Sequence, residues 1–141
     1  MSASDTPMTT PEVSSATPSL ATPDTFLLDG RPIPFTPGQT LMQAAQAAGV
    51  YIPHLCHHAD FDPIGSCKVC SVRIQGRTVA SCTMPARAGL VVESETPELH
   101  HDRQRLTQML FVEGNHHCPF CEKSGACHLQ AVAYHLDMQD T

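Results

Sequence analysis

The chain has 141 residues, a net charge of −6, eight Lys and Arg together, seven Cys and no Trp. This balance argues against a nucleic-acid partner, because such domains carry a basic surface. No stretch approaches the roughly 20 apolar residues of a membrane span, and the N-terminus lacks the basic or Arg-rich pattern of an export or mitochondrial signal. We therefore expect a cytoplasmic protein whose cysteines are metal ligands or redox groups rather than disulfides.

The first 23 residues are rich in Ser, Thr, Pro and Ala, and they predict a disordered tail. Order is expected from Asp24. Residues 25–28 and then Asp29-Gly30 predict a strand and a tight turn. Residues 33–35 predict the returning strand, which must lie at a sheet edge because prolines flank Ile33.

Helix and strand signals then alternate along the chain. Thr40 and Gln43 form a capping-box pattern in front of a helix that starts at Leu41. Residues 71–77 and 78–82 predict a second hairpin, and residues 90–92 predict a further short strand. Thr96-Pro97 predicts the start of a long helix that ends near Gly114. Its apolar side is predicted to comprise Leu99, Leu106, Met109, Leu110 and Val112, and a last helix is predicted over residues 129–136.

Four cysteines form the first constellation, with the spacing Cys56-x10-Cys67-x2-Cys70-x11-Cys82. Thiolates are the soft ligands that select iron–sulfur clusters or zinc, and a [2Fe–2S] cluster requires four protein ligands. A glycine at position 65 lets the backbone approach such a cluster closely. Four thiolates also suit tetrahedral zinc, but zinc sites more often use two close cysteine pairs, so the spacing favours the cluster.

Three further cysteines form a second constellation, Cys118-x2-Cys121-x5-Cys127, which lacks a fourth thiolate. Histidine is the natural substitute, and His116 and His117 stand immediately upstream. A neutral imidazole in place of a thiolate is expected to raise the reduction potential of a [4Fe–4S] cluster. The other seven histidines are interpreted as surface groups or as groups outside the ligand set.

The first constellation carries a resemblance to a known family. The segments Pro53-His54-Leu55-Cys56, residues 65–72 and residues 80–83 are similar to the β-grasp [2Fe–2S] domain of the largest iron–sulfur subunit of respiratory complex I. They resemble equally the diaphorase iron–sulfur subunit of NAD-reducing nickel–iron hydrogenases and the N-terminal part of NAD-linked formate dehydrogenases. The resemblance implies a [2Fe–2S] cluster on Cys56, Cys67, Cys70 and Cys82.

Residues 111–130 resemble a segment of the same families that binds [4Fe–4S] through one His and three Cys. The commonest form there is His-x3-Cys, but Gly114 occupies that position in this sequence. Asn115-His116-x-Cys118 instead matches a shorter form of the hydrogenase branch. The resemblance therefore implies a [4Fe–4S] cluster on His116, Cys118, Cys121 and Cys127, with His117 as the second choice.

The expected architecture is α+β: a tail over residues 1–23, a β-grasp ferredoxin-like [2Fe–2S] domain over residues 24–96, and a small helical [4Fe–4S] segment over residues 97–141. The sequence contains no Gly-x-Gly-x-x-Gly fingerprint or phosphate loop. Together with the resemblance, this predicts an electron-transfer subunit that has no catalytic site of its own. It would relay electrons between a hydrogenase- or formate-dehydrogenase-type subunit and a flavin/NAD(H) subunit. A free two-cluster ferredoxin and a zinc-stabilised assembly module are the alternatives.

Overall fold

A computed structural model describes residues 24–138, so the expected disordered tail over residues 1–23 lies outside the described part. Within residues 24–138, five strands and three α-helices follow one another along the chain. The strands are β1 (Thr25–Leu28), β2 (Arg31–Pro34), β3 (Ser71–Ile74), β4 (Arg77–Ala80) and β5 (Val91–Glu93). The helices are α1 (Leu41–Ala47), α2 (Pro97–Glu113) and α3 (His128–His135). The expected α+β class is confirmed.

The strands form one mixed sheet in the order β2-β1-β5-β3-β4. Strand β5 lies at its centre, parallel to β1 and antiparallel to β3, and the antiparallel hairpins β1–β2 and β3–β4 lie on either side of it. The first hairpin turns at Asp29 and Gly30, which both have positive φ, as expected for a tight two-residue turn. Strand β2 lies at the edge of the sheet, where its two prolines do not interrupt a ladder on both sides.

Helix α1 packs on this sheet and closes the main core. The Thr40 hydroxyl accepts a hydrogen bond from the backbone amide of Gln43, and the Gln43 side-chain oxygen accepts one from the backbone amide of Thr40. The predicted capping box is therefore confirmed. The core residues are almost fully shielded from solvent, among them Phe26, Ile33, Leu41, Met42, Val72 and Val92. This burial fixes the sheet that positions the first cysteine constellation.

Helices α2 and α3 pack against the loop that precedes β3 rather than standing apart from the sheet. Val69 of that loop and Val132 and Leu136 of α3 form a second, smaller buried cluster. Gln104 of α2 donates to the carbonyl of Leu136 at 2.7 Å. Within residues 24–138, no helix is long and apolar enough to cross a membrane.

The predicted apolar side of α2 is only partly correct. Leu99 is buried, but Met109 and Val112 are 63% and 80% exposed, and the buried positions on the helix include Arg103 and Thr107. These buried residues recur at the i, i+4 and i+8 positions of one helix face. The face that contacts the protein is therefore more polar than the periodicity indicated.

Candidate iron–sulfur sites

The Cys67-Lys68-Val69-Cys70 segment forms a tight turn that leads directly into β3. Lys68 has a positive φ of 59°, and its carbonyl accepts from the amide of Ser71 at 3.1 Å and from the Ser71 hydroxyl at 2.6 Å. This closed turn holds the two cysteines of the Cys-x2-Cys pair on one short loop. The backbone of the Cys67–Cys70 pair is therefore held in place by hydrogen bonds of the protein itself.

Cys82 reaches the same place through the neighbouring strand. Ser81 follows β4, is fully buried, and donates from its hydroxyl to the carbonyl of Cys70 at 2.7 Å. The Ser81 amide makes a second bond to that carbonyl at 3.2 Å. Because these two bonds hold Ser81 against Cys70, the next residue, Cys82, is held close to Cys70. Both cysteines are 1% exposed.

The thiols of this constellation are close enough to change one another's pKa values. Burial, a hydrogen bond with Cys70 and the charges of Cys70 and Cys56 raise the pKa of Cys82 to about 12, against an opposing hydrogen bond from the Gly65 backbone. Burial also acts to raise the pKa of Cys67, but backbone hydrogen bonds at Cys56, Val69 and Leu55, together with one from the Cys56 side chain, outweigh it and lower that pKa. Amides that stabilise one thiolate are the surroundings that a negatively charged cluster requires.

Cys56 completes the group from the long loop between α1 and β3. The backbone amide of Cys67 lies 3.5 Å from Cys56 Sγ, so the first and second cysteines of the pattern are neighbours in space. The backbone of Gly65 lies close to the Thr83 side chain, because a Cβ at position 65 would be only 3.1 Å from it. Gly65 also has a positive φ of +63°. The structure therefore brings all four predicted cysteines into one constellation, with four thiols that suit a [2Fe–2S] cluster.

The second constellation lies between the end of α2 and the start of α3. A cavity of about 260 Å³ is lined by Cys118, Cys121, Cys127 and both candidate histidines, His116 and His117. Residues 118–120 form one short 3₁₀ turn, and Cys127 is the N-cap residue of α3. The positive end of the α3 dipole therefore lies beside Cys127, which favours bound negative charge. The predicted donors share one cavity and fit a [4Fe–4S] cluster.

His116 has a defined place at this cavity. Its imidazole lies against the Phe111 ring of α2, with ring centroids 5.4 Å apart. A Cβ at position 114 would collide with that imidazole, so Gly114 makes room for it. Gly114 has a φ of −102°, and the close approach rather than its backbone conformation requires glycine. Both histidines line the cavity, so the ligand assignment between them stays a prediction.

Two contacts made by residues outside the predicted ligand set hold the first constellation, and one of them links it to the second. His128, next to Cys127, donates from Nε2 to the carbonyl of His54, two residues before Cys56, at 2.7 Å. Arg103 of α2 is 2% exposed and donates to the carbonyls on either side of Cys70. A charged residue four positions after Leu99 on the buried helix face was the available sequence signal for Arg103.

The sheet, the thiol chemistry and the shared cavity define an iron–sulfur protein, and comparisons with known proteins agree. The family described as a 2Fe-2S iron-sulfur cluster binding domain matches residues 21–97, more than half of the chain, and the chain belongs to that family. An NADH-ubiquinone oxidoreductase-G iron-sulfur binding region matches residues 103–141. The first match supports the expected [2Fe–2S] cofactor, and the second match supports the expected [4Fe–4S] cofactor.

Individual relatives belong to larger oxidoreductases. The chain is 49% identical over 111 residues to the gamma component of the NAD-reducing hydrogenase HoxS of Cupriavidus necator, covering 79% of this chain and 47% of that protein. It is 36% identical to one component of the NADH-quinone oxidoreductase of Rickettsia prowazekii, covering 77% of this chain and 16% of that protein. The chain thus spans less than half the length of these relatives.

A solved structure gives the same result for the fold. A chain in the crystal structure of NAD⁺-reducing [NiFe]-hydrogenase in the H₂-reduced state superposes with a TM-score of 0.80 at 54% identity. The match covers 82% of this chain and 50% of that chain. The resemblance to iron–sulfur subunits of hydrogenases and complex I is confirmed.

Proposed function

We propose that this chain relays electrons through a [2Fe–2S] cluster on Cys56, Cys67, Cys70 and Cys82 and a [4Fe–4S] cluster on His116, Cys118, Cys121 and Cys127. The observation that carries the proposal is that the two constellations lie on elements that pack against each other. The loop that holds the first set packs directly on α3, which begins at the second set. Two clusters fixed on one frame can pass single electrons between them.

The proposed partners are a flavin/NAD(H) subunit and a catalytic subunit of the hydrogenase or formate dehydrogenase type, in the cytoplasm. Similarity to a component of an NAD-reducing hydrogenase at 49% identity, against 36% for an NADH-quinone oxidoreductase component, supports the hydrogenase branch. The Asn115-His116-x-Cys118 form supports it independently. The chemistry on substrate would belong to those partners, because the clusters themselves only carry electrons.

One surface suits contact with such a partner. A groove of about 1170 Å³ lies between the outer face of α2 and the loop of Cys56 and Cys67. Met109 and Val112 line it and are largely exposed. A partner seated here would cover apolar side chains and come close to two ligands of the [2Fe–2S] site, which shortens the path for electron transfer.

The test is metal analysis of anaerobically purified protein, followed by EPR after dithionite reduction. About six irons and six acid-labile sulfides per chain, with one [2Fe–2S] and one [4Fe–4S] signal, are expected. Cys70→Ser should remove the first signal alone and Cys121→Ser the second alone. Zinc without sulfide would overturn the relay and favour the assembly module. Size-exclusion chromatography of the chain coexpressed with the two proposed subunit types separates the complex from a free two-cluster ferredoxin.

A further inference from the structure

Arg103 is a buried cation directly behind the first cysteine loop. Its side chain is 3% exposed, and the nearest carboxylate oxygen, of Glu95, is 3.7 Å away on a side chain that is 63% exposed. Burial lowers the pKa of Arg103, and the charges of Glu95, Cys70, Asp29 and Tyr51, in that order, oppose that effect. Because a guanidinium stays protonated in proteins, a positive charge is held in the interior with a solvent-screened partner.

The guanidinium holds the backbone on both sides of one cysteine. Its Nε donates to the Val69 carbonyl at 3.1 Å and its Nη2 donates to the Ser71 carbonyl at 2.8 Å, so the fork spans Cys70. Its Nη1 donates to the Ser94 carbonyl at 3.0 Å, and Nη2 also reaches the Ser94 hydroxyl at 2.9 Å. These four bonds fix both the position of the loop and the position of the charge relative to it.

We propose that Arg103 is a positioning residue that raises the reduction potential of the [2Fe–2S] cluster; this rests on the ligand set of the proposed function. Reduction transfers one electron from an external donor to the cluster and adds one negative charge there. A buried cation stabilises the reduced cluster more than the oxidised cluster, and the low interior dielectric strengthens the effect. Helix α2 thereby supplies a buried charge, whereas the cation of the neighbouring strand β3, Arg73, has a side chain that is 31% exposed.

The test compares neutral and charged substitutions by redox titration followed by EPR. In Arg103→Gln and Arg103→Met we expect the equilibrium constant for one-electron reduction of [2Fe–2S] to fall about tenfold, which is 59 mV. The [4Fe–4S] potential should stay unchanged. Arg73→Gln is the matched control, because Arg73 lies two residues beyond Ser71 but its side chain is 31% exposed. Solvent screening should leave that variant close to wild type.

Arg103→Lys covers the case in which the neutral variants do not fold. It keeps the charge but cannot hold two carbonyls with a planar fork, so we expect a potential near wild type and several-fold faster iron loss to a chelator. A lysine variant whose potential falls tenfold, or a folded glutamine variant with the wild-type potential, would overturn the proposal. Absence of any [2Fe–2S] signal in the wild-type protein would instead refute the proposed ligand set.

Discussion

The two cysteine regions differ in how much of their shape comes from the protein. In the first, Cys70 and Cys82 are buried, Ser81 ties them together, and a sheet with a closed core stands behind them. In the second, Cys118 and Cys127 are half-buried and Cys121 is exposed. Among the described residues, neither buried cluster of apolar side chains includes a residue between positions 114 and 127.

The difference indicates two ways of building a cluster site. Burial of apolar side chains stabilises the first loop whether or not metal is bound. The second segment has short turns, with bonds such as Cys121 N to the Cys118 carbonyl and Gly125 N to the Gln130 side chain. Local bonds of this kind contribute little net stability, so we expect metal binding to supply the folding energy there.

Removal of both clusters should therefore have the largest effect, and it should be confined to one region. After anaerobic chelation we expect amides of residues 114–127 to exchange hydrogen at close to unprotected rates, because no core holds them. Strands β3 and β4 should keep most of their protection. Hydrogen exchange with mass spectrometry measures both regions in one sample. Equal loss of protection in the sheet would show that both regions depend on metal.

Single histidine replacements sharpen the comparison at the second region. In His116→Ala we expect loss of the [4Fe–4S] EPR signal, or removal of iron from this cluster by a chelator at least about tenfold faster than in the wild type. The [2Fe–2S] cluster should be unaffected. The neighbouring His117→Ala is the matched control and should retain both signals. His116→Cys should restore the cluster at a lower potential, because a thiolate adds negative charge. Loss of the signal in the His117 variant alone would transfer the ligand role to His117.

The local elements could be predicted from sequence because each depends on neighbouring residues. The Thr40–Gln43 capping box and the Thr96-Pro97 helix start are examples, and both are formed. The cysteine groupings were predictable as well, since metal chemistry restricts their spacing. The ligand choice between His116 and His117 was not, because two adjacent imidazoles give the same local pattern.

Contacts between the two regions could not be predicted in the same way. The His128–His54 bond joins residues 74 positions apart, and no local pattern encodes such a pairing. Periodicity identified an apolar stripe on α2 but not which part of it would be covered. Arg103 is buried because its donors meet loop carbonyls, while Met109 remains exposed although it is apolar. Packing partners, rather than side-chain polarity alone, decide burial here.

A smaller change at Gly114 should be informative because it acts only through His116. An alanine Cβ would collide with the far end of the His116 imidazole, which can swing away at little cost to folding when no metal holds it. The Gly114 backbone, with φ −102° and ψ 164°, is open to alanine. If His116 is a ligand, Gly114→Ala should leave the thermal stability of the metal-free protein unchanged but alter the [4Fe–4S] EPR line shape. A wild-type [4Fe–4S] spectrum in this variant would show that the imidazole against Phe111 is not the one bound to iron.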